Sequence, residues 1–577
     1  MKKIIFLFIL FTVCHTPKNK TSFNFETTFE KSKGLETATY NEVIKYYSNL
    51  AKTYPEIHFD SIGSTDSGKP LHIITLNMDA DFNFSEIRKN KRILFINNGI
   101  HPGESDGIDA TMLLFRDIAN GKIEAPKNTV LVTIPVYNVG GSLNRNTSTR
   151  TNQNGPKAYG FRGNARNYDL NRDFIKSDTK NAKAFAEIFH LVQPDVFIDN
   201  HVSNGADYQY TLTHLFTQHN KLGGDLGNYL HTKMMPELEK KLSEKDWDIT
   251  PYVNVFNQVP ESGFSQFLDS PRYSTGYTTL FNTLGMMVET HMLKPYKQRV
   301  EGTYELMKSM LEITEEDGEN IKNLRKDYHQ KLLANKTYPL NWKVDTTKSS
   351  VLNFKGFEGK RIPSTITGKD RLKFDTTKPF TKAIRYQNYF KSTDSVTIPN
   401  AYVIPQGWWN VIDLLKLNQV EMSQLENDTL LEVESYKMDD FETRKQAYEG
   451  HYQHYNTSVK SSIEKIAFRK GDYMINTNQR ALRYLLETLE PQAPDSFFNW
   501  NFFDTILQQK EGFSPYVWED KAQTLLKQNP KLQIAFNTKK SFDKDFANNW
   551  YAQLDWLHKQ SENYEKAHLQ YPVYRLK

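Results

Sequence analysis

The apolar positions of this chain change period along its length, and the change predicts strands alternating with helices. From Tyr40 the residues Val43, Ile44, Tyr47 and Leu50 recur at helical spacing. Two strand patterns follow, over 57–62 and 71–76, parted by the turn Ser67-Gly68-Lys69-Pro70. The run Arg92-Ile93-Leu94-Phe95-Ile96 reads as a buried strand that stops at Asn97-Asn98-Gly99. Met112, Leu113, Phe115 and Ile118 mark a helix ended by Gly121. The order continues as a strand (129–136), a long polar loop (138–168), a helix (178–192), a strand (196–199), a helix (222–243), a strand (285–289) and a Glu/Lys-rich helix (296–335). Such alternation predicts an α/β fold with a mixed, mostly parallel central sheet flanked by helices.

A boundary is expected near Thr337-Tyr338-Pro339, with a smaller α+β domain beyond it. There the pattern gives a strand at 401–405, a helix carrying Trp409, Ile412, Leu415 and Leu417, and a strand from Val420. Residues 428–470 alternate as a hairpin does, and a strand and helix follow at 473–476 and 479–489. The stretch Phe497-Phe498-Asn499-Trp500-Asn501-Phe502-Phe503 reads as core rather than as a sugar- or peptide-contacting surface.

At 577 residues the chain exceeds a single core, and 38% hydrophobic content suffices for two. A net charge of +5 on this length, with no basic block, gives no nucleic-acid partner. Met1-Lys2-Lys3 followed by apolar residues 4–13 is too short to span a bilayer and fits an export signal. The expected location is the periplasm, the cell surface or the medium. The only cysteine, Cys14, ends that run and stands where bacterial lipoproteins are acylated, so the one membrane link expected is a lipid anchor there. A single cysteine excludes an internal disulfide. Residues 15–35 read as a polar tether.

Four polar stations sit at or just after apolar runs: His101-Pro102-Gly103-Glu104, Asp169-Leu170-Asn171-Arg172, Asp199-Asn200-His201, and Glu289 in Val288-Glu289-Thr290. In parallel sheets ligands bind beyond the carboxyl ends of strands, which is where these stations fall. His101 and Glu104 straddle a tight turn and can face one ion, with His201 as a third ligand. Asp169 and Asp199 are candidates to accept the second imidazole N–H and fix ring orientation. A carboxyl at the end of so apolar a strand as that of Glu289 is costly unless paired or used, and burial would raise its pKa toward that of a general base. Asn171-Arg172 offers an amide and a planar fork suited to a carboxylate.

This series resembles the zinc metallocarboxypeptidases (carboxypeptidase A and B type, peptidase family M14) over roughly residues 36–335. The resemblance implies one zinc per chain on His101, Glu104 and His201, and Glu289 as general acid/base. It implies Asn171 and Arg172 on the α-carboxylate of a peptide with a free C-terminus, and Asp169 orienting His101. It also implies an oxyanion arginine and a tyrosine covering the substrate. Arg145, Arg150, Arg162 and Arg166 compete for the first role, and Thr149-Arg150-Thr151 favours Arg150. Tyr273 and Tyr277 compete for the second, and Tyr277 is the expectation. The domains then read as 1–14 signal, 15–35 tether, 36–337 catalytic and 338–577 accessory. The expected function is an exported zinc carboxypeptidase. Competing readings are a zinc amidase acting on peptidoglycan stem peptides or acyl-amino acids, and a non-catalytic binding protein on the same fold.

Overall fold

A computed structural model describes residues 23–577. The expected export signal, Cys14 and the start of the expected tether lie outside the described residues. The rest of that tether, from Phe23 to Leu35, is not one. Thr27 caps the short helix Thr28–Lys31 through a reciprocal pairing with Glu30. Glu30 holds Arg116 at 2.7 Å, and the Phe29 ring packs edge-on against Tyr296. Polar neighbours in the sequence conceal two aromatic anchors, Phe25 and Phe29, that join the core.

The first part of the chain builds an eight-stranded sheet. Its strands are β1 (Ile57–Ser64), β2 (Pro70–Leu76), β3 (Arg92–Asn97), β4 (Thr129–Ile134), β5 (Val196–Ser203), β6 (Leu212–Phe216), β7 (Ile249–Pro251) and, past the short β8 (Phe264–Ser265) that belongs elsewhere, β9 (Leu284–His291). The order is β1-β2-β4-β3-β5-β9-β6-β7. The central strands β4, β3, β5 and β9 run parallel, which is why each is an unbroken apolar run. Antiparallel β1–β2 closes one edge, and β6 joins β9 antiparallel near the other.

Strand alternation sends side chains to both faces. Phe95 and Phe197, neighbours in register, meet Phe185 of helix Lys180–Val192. Asn200, out of phase with Phe197, meets Met307 of the long helix Tyr296–Leu333. That helix packs against helix Asp106–Ala119. Gly107 permits the close approach of the latter to β5: a Cβ there would stand 2.3 Å from Asn200 Cβ. Among the described residues no helix is long and apolar enough to cross a membrane.

The second part is α+β. β10 (Thr337–Val344) pairs with β13 (Phe390–Thr397). β11 (Ser350–Pro363) and β12 (Asp370–Gln387) form a long hairpin, and β12 also pairs parallel with β8. A six-stranded sheet has the order β15 (Ser423–Gln424), β18 (Tyr473–Asn476), β14 (Ala401–Ile404), β19 (Tyr574–Leu576), β16 (Thr429–Thr443), β17 (His454–Phe468). The strand expected from Val420 shrinks to two residues. Phe497, Phe498, Trp500 and Phe503 are buried, as core. The two parts meet through buried groups. Arg483 donates to the carbonyls of Lys221 (2.7 Å) and Leu222 (3.2 Å) and to Asn282 Oδ1, and one apolar cluster runs through both.

Candidate metal centre and substrate cleft

His101 and Glu104 lie in the loop after β3, in a turn closed by Glu104 N donating to His101 O (2.8 Å). His201 lies inside β5, which extends past Asp199 to Ser203, and it stands in register beside Glu289 of β9. The three polar side chains are buried, and their ligand atoms lie within 4.8 Å of one another. Each imidazole has its Nδ1 3.2 Å from a Glu104 oxygen and its Nε2 2.9 Å from a carboxylate, Asp169 for His101 and Asp199 for His201. An Nε2–H given to a carboxylate leaves the lone pair on Nδ1, aimed inward. His101 Nδ1 is buried without a hydrogen-bond partner. That nitrogen, His201 Nδ1 (which contacts Glu104 Oε2) and one Glu104 oxygen are a donor set that fits zinc with a coordination position left open.

The electrostatics follow from burial and neighbours. Burial pushes the Glu104 carboxyl up, but His101 and Arg150 outweigh it and hold it well below the ordinary range. Asp169 is held low in the same way by His101 and Arg162. Glu289 goes in the opposite direction. Burial pushes its pKa up to about 7, against the nearby His201 charge.

His101, Glu104, His201 and Glu289 line one cleft together with Arg162, Asn171, Arg172, Tyr252 and Tyr273. Asp169 caps the turn Leu170–Arg172 by accepting from Asn171 N (3.0 Å), which places Asn171 and Arg172 at the cleft wall. The Arg172 guanidinium stacks 4.6 Å over the Tyr273 ring.

Two expectations need correction. Arg150 is not among the cleft-lining residues. Its side chain passes over the bare α-carbon of Gly103 to reach Glu104 Oε1 at 2.7 Å. Arg162 takes the cleft position. Its Nε and Nη2 hold Asp169 Oδ2 at 3.0 and 2.9 Å, and its Nη1 lies 3.6 Å from Glu104. Tyr277 is also away from the cleft. It is fully buried, and its hydroxyl donates to Asn418 Oδ1 at 2.6 Å; Tyr273 occupies the wall instead.

Sequence reasoning did not find the apolar lining of the cleft, which includes Leu215, Phe256, Phe267 and Met287. Met287 carried a signal, since it stands two residues before Glu289 and therefore shares its face. Leu215 pairs with Met287 across β6–β9 and carried none, because β6 was not recognised as a strand.

Residues 43–194 match the profile of the zinc carboxypeptidase peptidase family M14. The chain carries a zinc carboxypeptidase domain. The matched segment contains His101, Glu104, Asp169, Asn171 and Arg172; His201 and Glu289 are joined to it by the register of β3, β5 and β9. Over 475 residues the chain is 22% identical to Carboxypeptidase 2 of Trichophyton equinum, covering 78% of this chain and 80% of that protein, and equally to Carboxypeptidase 2 of Trichophyton rubrum. Similarity to solved structures is low. Carboxypeptidase A from Helicoverpa armigera gives a TM-score of 0.37 at 14% identity, covering 48% of this chain and 73% of that one. A metallo-carboxypeptidase from Burkholderia cenocepacia gives 0.36 at 15%, covering 46% and 67%.

Proposed function

We propose that the protein is a zinc-dependent carboxypeptidase that removes the C-terminal residue of peptides, with His101, Glu104 and His201 holding the metal and Glu289 as general base. One observation carries this reading: a three-ligand metal set and a separate carboxylate grip, Asn171 with Arg172, share one cleft. Zinc, when bound, supplies Lewis-acid activation of water and of the scissile carbonyl. Glu289 faces the cleft beside His201 with a pKa raised to about 7, so it accepts the proton of the attacking water and returns it to the leaving amine. Asp169 and Asp199 hold the two imidazoles in one tautomer. Arg162, which lines the cleft and is anchored by Asp169, is assigned the stabilisation of negative charge developing on the carbonyl oxygen. Arg172, stacked on Tyr273, receives the terminal carboxylate with Asn171. Apart from the groups given these roles, the cleft lining has no charge, and its apolar part of Leu215, Phe267 and Met287 suits a neutral, apolar terminal side chain.

The test uses matched peptides ending in free Leu, free Arg or Leu-amide. Free Leu is expected to be cleaved best. Amidation removes charged hydrogen bonds worth about 1.5–3 kcal/mol each, a drop of roughly tenfold to several hundredfold in kcat/KM. Arg172→Ala narrows that gap, Arg162→Ala lowers kcat more than Arg150→Ala, and Glu289→Gln keeps zinc while losing nearly all turnover. Equal cleavage of free and amidated peptides by the wild-type protein refutes exopeptidase action. We also propose export, supported by the basic start and the apolar residues 4–13. Unprocessed protein retained in the cytoplasm after cell fractionation overturns it, and failure of Cys14 to take up labelled fatty acid removes the lipid anchor.

A further inference from the structure

The turn joining β16 to β17 reaches from the C-terminal domain to the cleft. Tyr448 and His451 close it with two backbone hydrogen bonds, Tyr448 N to His451 O (2.8 Å) and His451 N to Tyr448 O (3.1 Å). Its central residues, Glu449 and Gly450, have φ of 49° and 81°. A two-residue turn of this kind takes Asn-Gly, Asp-Gly or Gly-Gly, and a glutamate in the left-handed region is strained. Gly450 is required, because a Cβ there would stand 2.6 Å from Tyr168 Oη.

The strained residue is the one that touches the cleft loop. Glu449 Oε2 accepts from Asp169 N at 2.9 Å, the one acceptor this N–H has among the described residues. The same Asp169 holds His101 Nε2 and Arg162 Nε through its side chain. Beside it, His451 Nε2 meets Asp178 Oδ2 at 2.7 Å, and Asp178 and Asp173 each bind Lys176 Nζ at 2.6 Å. The turn therefore pins the segment 169–178 at both ends. Strain persists where the surroundings impose it, and it clusters at functional sites.

We infer that Glu449 is a positioning residue for the metal centre, acting through the backbone of Asp169 on the orientation of His101 and Arg162. The C-terminal domain thereby supplies a part of the active site. The inference rests on the zinc-ligand reading given above for His101.

Glu449→Gly and Glu449→Gln test it in the full-length zinc-loaded protein. Glycine tolerates positive φ, so Glu449→Gly is expected to keep or raise Tm while lowering kcat/KM about tenfold. In chelator competition its zinc affinity is expected to fall roughly threefold to tenfold, below the effect of losing a residue that touches a ligand directly. Glu449→Gln keeps an oxygen for the Asp169 N–H and stays within about twofold of wild type in both readouts. Wild-type kcat/KM and zinc affinity in Glu449→Gly overturn the inference, as does Glu449→Gln impaired as deeply as Glu449→Gly. If the wild-type protein cleaves no peptide with a free C-terminus, the carboxypeptidase reading falls, while chelator competition still decides the role of Glu449.

Discussion

Tyr273 and Tyr277 are one helical turn apart and do unrelated things. The helix starts at Ser274, so Tyr273 stands at its cap and turns outward under Arg172, whereas Tyr277 is inside it and faces the core. Tyr277→Phe removes a buried hydroxyl shared with Asn418 and His190. The expected cost is about 1–3 kcal/mol of stability, with KM unchanged. Denaturant midpoints and steady-state kinetics check this; a raised KM at unchanged stability returns Tyr277 to the substrate. The sequence alone could not separate the two tyrosines, because a segment rich in Ser, Thr and Gly does not fix where a helix begins. Arg150 and Arg162 posed the same difficulty, in a loop with no period. His101 and Glu104 were legible because they follow an apolar strand, and His201 and Glu289 because each lies near the carboxyl end of one; strand ends in a parallel sheet converge.

At the scale of elements, the central strands and the helices between them were readable from period alone. β6 was not, because its five residues Leu-Thr-His-Leu-Phe are too few to show alternation, and with it went Leu215. The long hairpin of β11 and β12 was not readable either: most of β12 is exposed, so it lacks the apolar face that period analysis detects. Helix Lys180–Val192 carries a group whose burial sets a pH dependence. His190 meets Tyr277 Oη and Asn418 Oδ1, with Arg480 Nη1 3.5 Å from its other nitrogen and the rings of Phe189 and Phe281 around it. Burial, and then the Arg480 charge, push its pKa down to about 3. The fold thus holds the neutral ring, whereas the unfolded chain takes up a proton below about pH 6.5. Stability is complete above pH 6.5 and is lost as pH falls toward 3, by about 2 kcal/mol at pH 5. In His190→Gln the fall in Tm between pH 7 and pH 5 is expected to be smaller than in wild type. An equal fall in both proteins removes His190 as the cause.

For the whole molecule, the join between its two parts is a buried one. Arg483 is buried against the carbonyls of Lys221 and Leu222, Tyr338 Oη donates to Glu487 Oε1 at 2.8 Å, and Phe281 stacks on Tyr484. A fragment ending at residue 335 exposes these carbonyls and the apolar side chains around them. It is expected to be insoluble or to lack the near-ultraviolet circular dichroism of the full chain; a soluble, zinc-binding fragment with native-like spectra contradicts this. The six-stranded sheet adds a matter of timing. β19 (Tyr574–Leu576) fills its centre, hydrogen-bonded to β14 on one side and to β16 on the other. On the ribosome, β14 and β16 therefore emerge long before the strand that lies between them. Until residues 574–576 have been synthesised and have docked, the β16–β17 hairpin lacks its neighbour in the sheet and rests on contacts such as His451–Asp178 and His454 N to Asn499 O. A nascent chain can thus contain all the proposed metal ligands before β19 completes the sheet that carries the turn at Asp169.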